Sequence, residues 1–172
     1  MTPVSSLKAR YLLISLAVIV LDQWTKWLVE SRLADQGPFV VVPGLLNFIY
    51  VENTGVAFGM FAAHGSSWGW LVLALLGIAA LTLVGYVFAK TPSEDRWLLA
   101  ALALIMGGAV GNLIDRIANQ AVTDFIDAYF RSYHWHTFNV ADSAITIGIC
   151  LMMLDMFFPR KEPAEAPTRP SD

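Results

Sequence analysis

Apolar residues gather in four long runs, separated by segments where glycine, proline and charge return. The runs cover roughly 11–28, 68–89, 97–114 and 140–158. Each comes close to the ~20 residues that a helix needs to cross the hydrocarbon of a bilayer. The second run carries no charge, whereas the first and fourth each contain an internal aspartate. Lys8 and Arg10 precede the first run as they would in a secretory signal, but "DQWTKWL" follows it in place of a small-x-small cleavage site, so the pattern predicts an uncleaved membrane helix. Lys and Arg then set the orientation. Seven of them (Lys8, Arg10, Lys90, Arg96, Arg160, Lys161, Arg169) fall on one side and four (Lys26, Arg32, Arg116, Arg131) on the other. Both termini are therefore expected in the cytoplasm, with loops 29–67 and 115–139 facing outward.

Within the first outer loop, "FVVV" and "LNFIYV" are β-branched and aromatic, and Pro43-Gly44 separates them. This predicts a short hairpin or small sheet at the membrane surface. The second outer loop, "TDFIDAYFRSYHWHTFN", interleaves aromatic and polar residues. It reads as an interfacial segment with one short helix from Thr123, and with Asp127 at the surface. The Pro- and charge-rich tail, 160–172, reads as a disordered cytoplasmic extension. The expected fold is an all-α membrane protein: a four-transmembrane-helix bundle with a small β-rich outer segment, forming one membrane-embedded domain over residues 1–159.

Composition agrees with this picture. The chain has 172 residues, 56% hydrophobic and 15% charged, with a mean hydropathy of +0.57. A soluble domain of this size needs more charge on its surface. A net charge of −3 argues against nucleic acid as a partner. The single cysteine, Cys150, cannot form an intrachain disulfide, and His134 and His136 lack a third ligand, so neither a metal nor another cofactor is expected. No internal repeat points to an inverted-repeat transporter.

The polar residues within the runs carry the functional signal. "GGAVGNLIDRI", residues 107–117, ends an otherwise apolar helix with glycines, an amide and charges. With the orientation above, Asp22 lies ~18 Å up the first helix from Arg10, at ~1.5 Å per residue. Asn112, Asp115 and Arg116 lie at the outer end of the third helix, and Asp142 lies in the first turn of the fourth. Asp124 and Asp127 sit just above. Several segments thus bring polar groups to one depth, where buried carboxylates need partners or a water-filled cavity.

Two readings stand for some of these groups. Asp22 and Lys26, at i and i+4, also read as a helix-end ion pair. Asn139 also reads as an N-cap, and Asp142 as a group favoured by the helix dipole. Gly107 and Gly111 form a small-xxx-small pair suited to close helix packing. Gly108, Asn112 and Asp115 share a face. In "ENTGVAFG" (52–59), Asn53 and Gly55 mark either a turn or a loop that a ligand backbone can approach.

Five stretches together resemble the lipoprotein signal peptidases, the type II signal peptidases of bacteria: "DQWTK" (22–26), "NTGVAF" (53–58), "GGAVGNLIDR" (107–116), "VTDFID" (122–127) and "FNVADSAI" (138–145). They occur in the family's order and span most of the chain. The resemblance implies an aspartic endopeptidase of the bacterial inner membrane with its site on the periplasmic side. It would cut prolipoproteins before a diacylglyceryl-modified cysteine, with those precursors and membrane lipids as partners, and as a monomer. It places the catalytic aspartates at Asp124 and Asp142. Supporting roles fall to Asp22, Asn53, Gly55, Gly108, Asn112, Asp115, Arg116 and Asn139. Asn53 and Asn112 are expected to hold the substrate peptide, and Arg116 to pair with Asp115. The rival class is a small proton-coupled transporter, which calls for a carboxylate near the midplane.

Overall fold

A computed structural model describes residues 3–55 and 68–158. The 160–172 tail and the 56–67 part of the first loop lie outside the described residues. Among the described residues, four helices are long and apolar enough to span a membrane. They are α1 (Pro3–Leu33), α2 (Gly69–Lys90), α3 (Arg96–Asn119) and α4 (Val140–Phe157).

Two helices run further than the apolar pattern suggests. α1 continues past 28 to Leu33, and α3 past 114 to Asn119. The hydropathy pattern marks only the stretch that hydrocarbon tolerates. "VESRL" and "DRIAN" are polar but contain no glycine or proline, so nothing in them stops the helix. Asp115 and Arg116, expected at the outer end of this helix, lie within it. α3 stops at Gln120, whose left-handed backbone (φ 60°) lets its N–H return to the Arg116 carbonyl.

α3 is the central helix and packs on α1, α2 and α4. Its small residues permit this. A Cβ on Gly107 would lie 2.9 Å from the Ser15 carbonyl of α1, and one on Gly111 would lie 2.6 Å from Asp22 Oδ2. The small-xxx-small row therefore faces α1. Gly108 faces α4, where a Cβ would meet the Ala141 carbonyl and Ile145 Cγ1. Toward the other end, Phe88, Leu99, Leu102 and Ala103 form an apolar core, and Lys8 Nζ donates to the Ala89 carbonyl at the end of α2 (2.7 Å). Leu13, Val20, Leu76 and Leu83 point outward, as lipid-facing side chains do.

Glycine substitutions should separate packing from propensity. Gly108→Ala is expected to cost about 1–3 kcal/mol, because its methyl overfills the α3–α4 contact. Gly85→Ala, where nothing lies within 4 Å, should instead gain up to about 1 kcal/mol of helix propensity. Thermal unfolding in detergent measures both.

The two loops join in one antiparallel sheet of order β1-β2-β3-β4: β1 (Phe39–Val42), β2 (Leu46–Asn53), β3 (Val122–Phe130) and β4 (Tyr133–His134). The expected hairpin is β1–β2. The short helix expected from Thr123 is absent: that segment is β3, and Val51 pairs with Asp124 and Asn53 with Val122. "VTDFIDAYF" is rich in β-branched and aromatic residues, and the open edge of β2 supplies its missing partner. Only Gln120 and Ala121 separate α3 from β3, so the strand begins directly over the end of the bundle.

Candidate active site

The sheet end of the bundle gathers the polar layer. Asp124 is fixed by β3, and Asp142 by the first turn of α4. Both line one cavity of about 570 Å³, together with Asn53, Trp135–Phe138, Ser143, Thr146 and Ile147. Each carboxylate oxygen receives one N–H donor. Asp124 Oδ1 accepts from Asn139 Nδ2 (2.8 Å) and Oδ2 from Asn53 Nδ2 (2.9 Å). Asp142 Oδ1 accepts from Asn112 Nδ2 (2.7 Å) and Oδ2 from the Asn139 backbone N–H (3.3 Å).

The amides are themselves oriented. Gly55 N–H donates to Asn53 Oδ1 (2.9 Å), which turns the NH₂ toward Asp124. The turn needs a glycine, since φ is +88° and a Cβ would run into Leu73. Asn139 Oδ1 accepts from the Asp142 N–H (2.9 Å), closing a capping box on α4. Its NH₂ is then free to donate to Asp124. Asn139 caps α4, as one reading expects, and the same side chain contacts Asp124. Asn53 and Asn112, expected to grip a peptide, are engaged with the aspartates.

Below them lies a charged core that the sequence reading only partly caught. Lys26 Nζ lies 2.8 Å from Asp22 and 2.7 Å from Asp115, with all three side chains buried. It also donates to Asn112 Oδ1 (3.1 Å). Asp22 in turn accepts the Ala141 N–H (2.8 Å), and Asp115 accepts the Thr123 N–H (3.3 Å). Each supporting carboxylate thus holds the backbone one residue before Asp142 or Asp124. Gln23 links the layer by donating to Asp115 (2.8 Å) and to the Gly111 carbonyl (3.2 Å). The predicted Asp22–Lys26 pair exists, and the structure adds Asp115 and Asn112 to it. Its signal was a lysine one turn above Asp22, inside an apolar helix.

Two further expectations are corrected. Arg116 does not pair with Asp115; its Nη1 donates to the Asn112 carbonyl (3.2 Å). Consecutive helix positions point about 100° apart, and Asp115 is already taken by Lys26. Asp127 is buried, not at the surface: it accepts from Asn47 (3.1 Å) and lies 2.7 Å from His134 Nδ1. Strands β2 and β4, which flank β3 on either side, supply those partners. Among the described residues, no group of three or more His, Cys, Asp or Glu could hold a metal ion.

Burial raises the Asp124 pKa above the usual carboxylate value, and the charge of Asp142 adds to this; the Asn53 and Asn139 donors oppose it.

Long apolar helices beneath a small sheet, with two aspartates converging on one cavity, define a polytopic membrane protein with an acidic site. Comparison narrows the class. The family described as signal peptidase (SPase) II matches residues 14–158, and the chain belongs to that family. It is 42% identical over 147 residues to the lipoprotein signal peptidase of Solibacter usitatus, covering 86% of this chain and 90% of the relative. It is 40% identical over 151 residues to that of Acinetobacter baylyi, covering 87% and 82%. A solved bacterial membrane enzyme is similar in fold, with a TM-score of 0.75 at 30% identity, covering 88% of this chain and 95% of the other. Nothing in these relatives favours the transporter reading.

Proposed function

We propose that this chain is an intramembrane aspartic endopeptidase that removes signal peptides from prolipoproteins, cutting before the diacylglyceryl-modified cysteine. The observation that carries the catalytic type is the pair Asp124 and Asp142, set on separate elements yet lining one cavity and linked through Asn139.

Two neighbouring carboxylates in a buried site share one proton, because both resist ionising together. Asp124 holds that proton, in keeping with its raised pKa. Asp142 holds the charge, facing Asn112 Nδ2 and the N-terminus of α4. Asp142 takes a proton from water as its oxygen attacks the scissile carbonyl. Asp124 donates to the carbonyl oxygen. Collapse of the tetrahedral intermediate returns a proton to the leaving amine.

The excess of Lys and Arg on the other side supports placing the sheet end outward, toward the periplasm, with both termini in the cytoplasm. A lipid-bearing cysteine is held at that level, with the apolar signal helix below it. Residues 1–159 then act as one domain, and as a monomer.

The test is incubation of the purified protein in detergent with a diacylglyceryl-modified precursor and with its unmodified counterpart. Cleavage before the modified cysteine alone, read by mass, is expected; no cleavage of either ends the reading. The raised Asp124 pKa also has a kinetic consequence. The rate falls as pH rises through that value, because the acid is then lost. Asn53→Ala removes a donor that favours the charged form, so it should raise the pKa further and move the alkaline limb to higher pH, along with a lower kcat. A limb that stays put or moves down would contradict the assignment of the proton to Asp124.

A further inference from the structure

We propose that Lys26 is a positioning residue for the reaction, acting through Asn112 and the two buried carboxylates to set the geometry of Asp142 and Asp124. The inference rests on the aspartic reading above.

Three contacts leave one ammonium, and each ends within a residue of a reacting carboxylate. Through Asn112, the path is one side chain long: Lys26 Nζ bonds Oδ1 (3.1 Å), and the same amide gives its Nδ2 to Asp142 (2.7 Å). An amide between an ammonium and a carboxylate has one favourable orientation. Flipping it would set NH₂ against NH₃⁺ and carbonyl against carboxylate. Asn139 Nδ2 also faces Oδ1 (3.2 Å), but it is shared with Asp124 and the Thr123 carbonyl. Through Asp22, the ammonium reaches the Ala141 N–H, and through Asp115 the Thr123 N–H. Those donors precede Asp142 and Asp124 directly. Lys26 therefore fixes α4 and β3 relative to each other from below, and touches neither the cavity nor either reacting aspartate.

The alternative is that Lys26 only neutralises Asp22 and Asp115 so that the bundle folds. Charge-repaired variants separate the two roles. With wild-type charges, the Lys26, Asp22 and Asp115 group carries a net −1. Asp22→Asn with Lys26→Met also leaves −1, and an asparagine can still accept the Ala141 N–H. The comparison is between Asp22→Asn alone and Asp22→Asn/Lys26→Met, each assayed on the diacylglyceryl-modified precursor. Removing Lys26 in this setting should lower the kcat of the folded protein by about 30–100-fold with KM within about threefold, while thermal stability drops below that of the single variant because Asp115 loses its counter-charge. The same step in an Asn112→Ala background should lower kcat by much less, because the main path is already cut.

A repaired variant as active as Asp22→Asn, or an effect of equal size without Asn112, overturns the proposal. Asp115→Asn/Lys26→Met, compared with Asp115→Asn, relieves the other carboxylate and carries the same test if the first pair does not fold. Failure of the wild-type chain to cleave, or full activity in Asp142→Asn, would instead sink the aspartic reading beneath it.

Discussion

Asp124→Asn and Asp142→Asn should each lower prolipoprotein cleavage by at least about 10³-fold while leaving a folded protein. An amide neither takes a proton from water nor gives one to a carbonyl oxygen at neutral pH. Each substitution also disturbs a matched set of bonds. The two oxygens of Asp124 accept from Asn139 and Asn53, but asparagine offers one oxygen, so one donor then faces an NH₂. That mismatch costs about 1–3 kcal/mol, offset in part because a buried charge is no longer required. Product formation against thermal unfolding in detergent separates chemistry from folding. Either variant cleaving at a rate near wild type would remove that aspartate from the mechanism.

Asn139→Ala should be among the most damaging single changes for stability. The side chain is fully buried and serves four partners: the Asp142 N–H, Asp124 Oδ1, Asn112 Oδ1 and the Thr123 carbonyl. Losing the cap costs about 1 kcal/mol, and stranding the buried acceptors brings the total to about 3–5 kcal/mol. Activity should fall at least about 100-fold, since Asp124 loses a donor that orients it. Asn139→Asp separates the roles. A carboxylate caps a helix as well as an amide does, so only the cap's share, about 1 kcal/mol, should return. It cannot donate to Asp124, however, and sets a second acid against it, so activity should stay low. An active Asn139→Asp variant would reduce Asn139 to a cap.

Much of this was legible in the sequence because membrane helices announce themselves. Each run of apolar residues became a helix, since backbone polar groups in hydrocarbon must be satisfied locally. The glycines of α3 carried their meaning too: Gly107 and Gly111, one turn apart, read as a close-packing pair, and both face α1. Asp22, Asn112, Asp115 and Asp142 were placed at one depth by counting residues along helices of fixed rise.

The second outer loop was misread, because strand and helix compete there on nearly even local terms. The deciding factor was the edge of β2, some 70 residues away in the chain, which no local pattern displays. β3, paired along that edge, carries Asp124 and buries Asp127. Lys26 was underrated for a related reason. At i+4 from Asp22 it has a satisfactory partner on its own helix, and only the packing of α3 reveals Asp115 and Asn112 on its other sides.

Residue order was enough to set the number of long apolar helices, the small-residue face of α3 and the layer in which the carboxylates lie, because helix rise and the hydrophobic effect act locally along the chain. Tertiary structure alone decided which groups in that layer touch: which amide serves which aspartate, what the lysine holds, and that β3 is a strand. Those outcomes depend on side chains from distant segments competing for the same few buried donors and acceptors. The competition is settled only when the helices have packed.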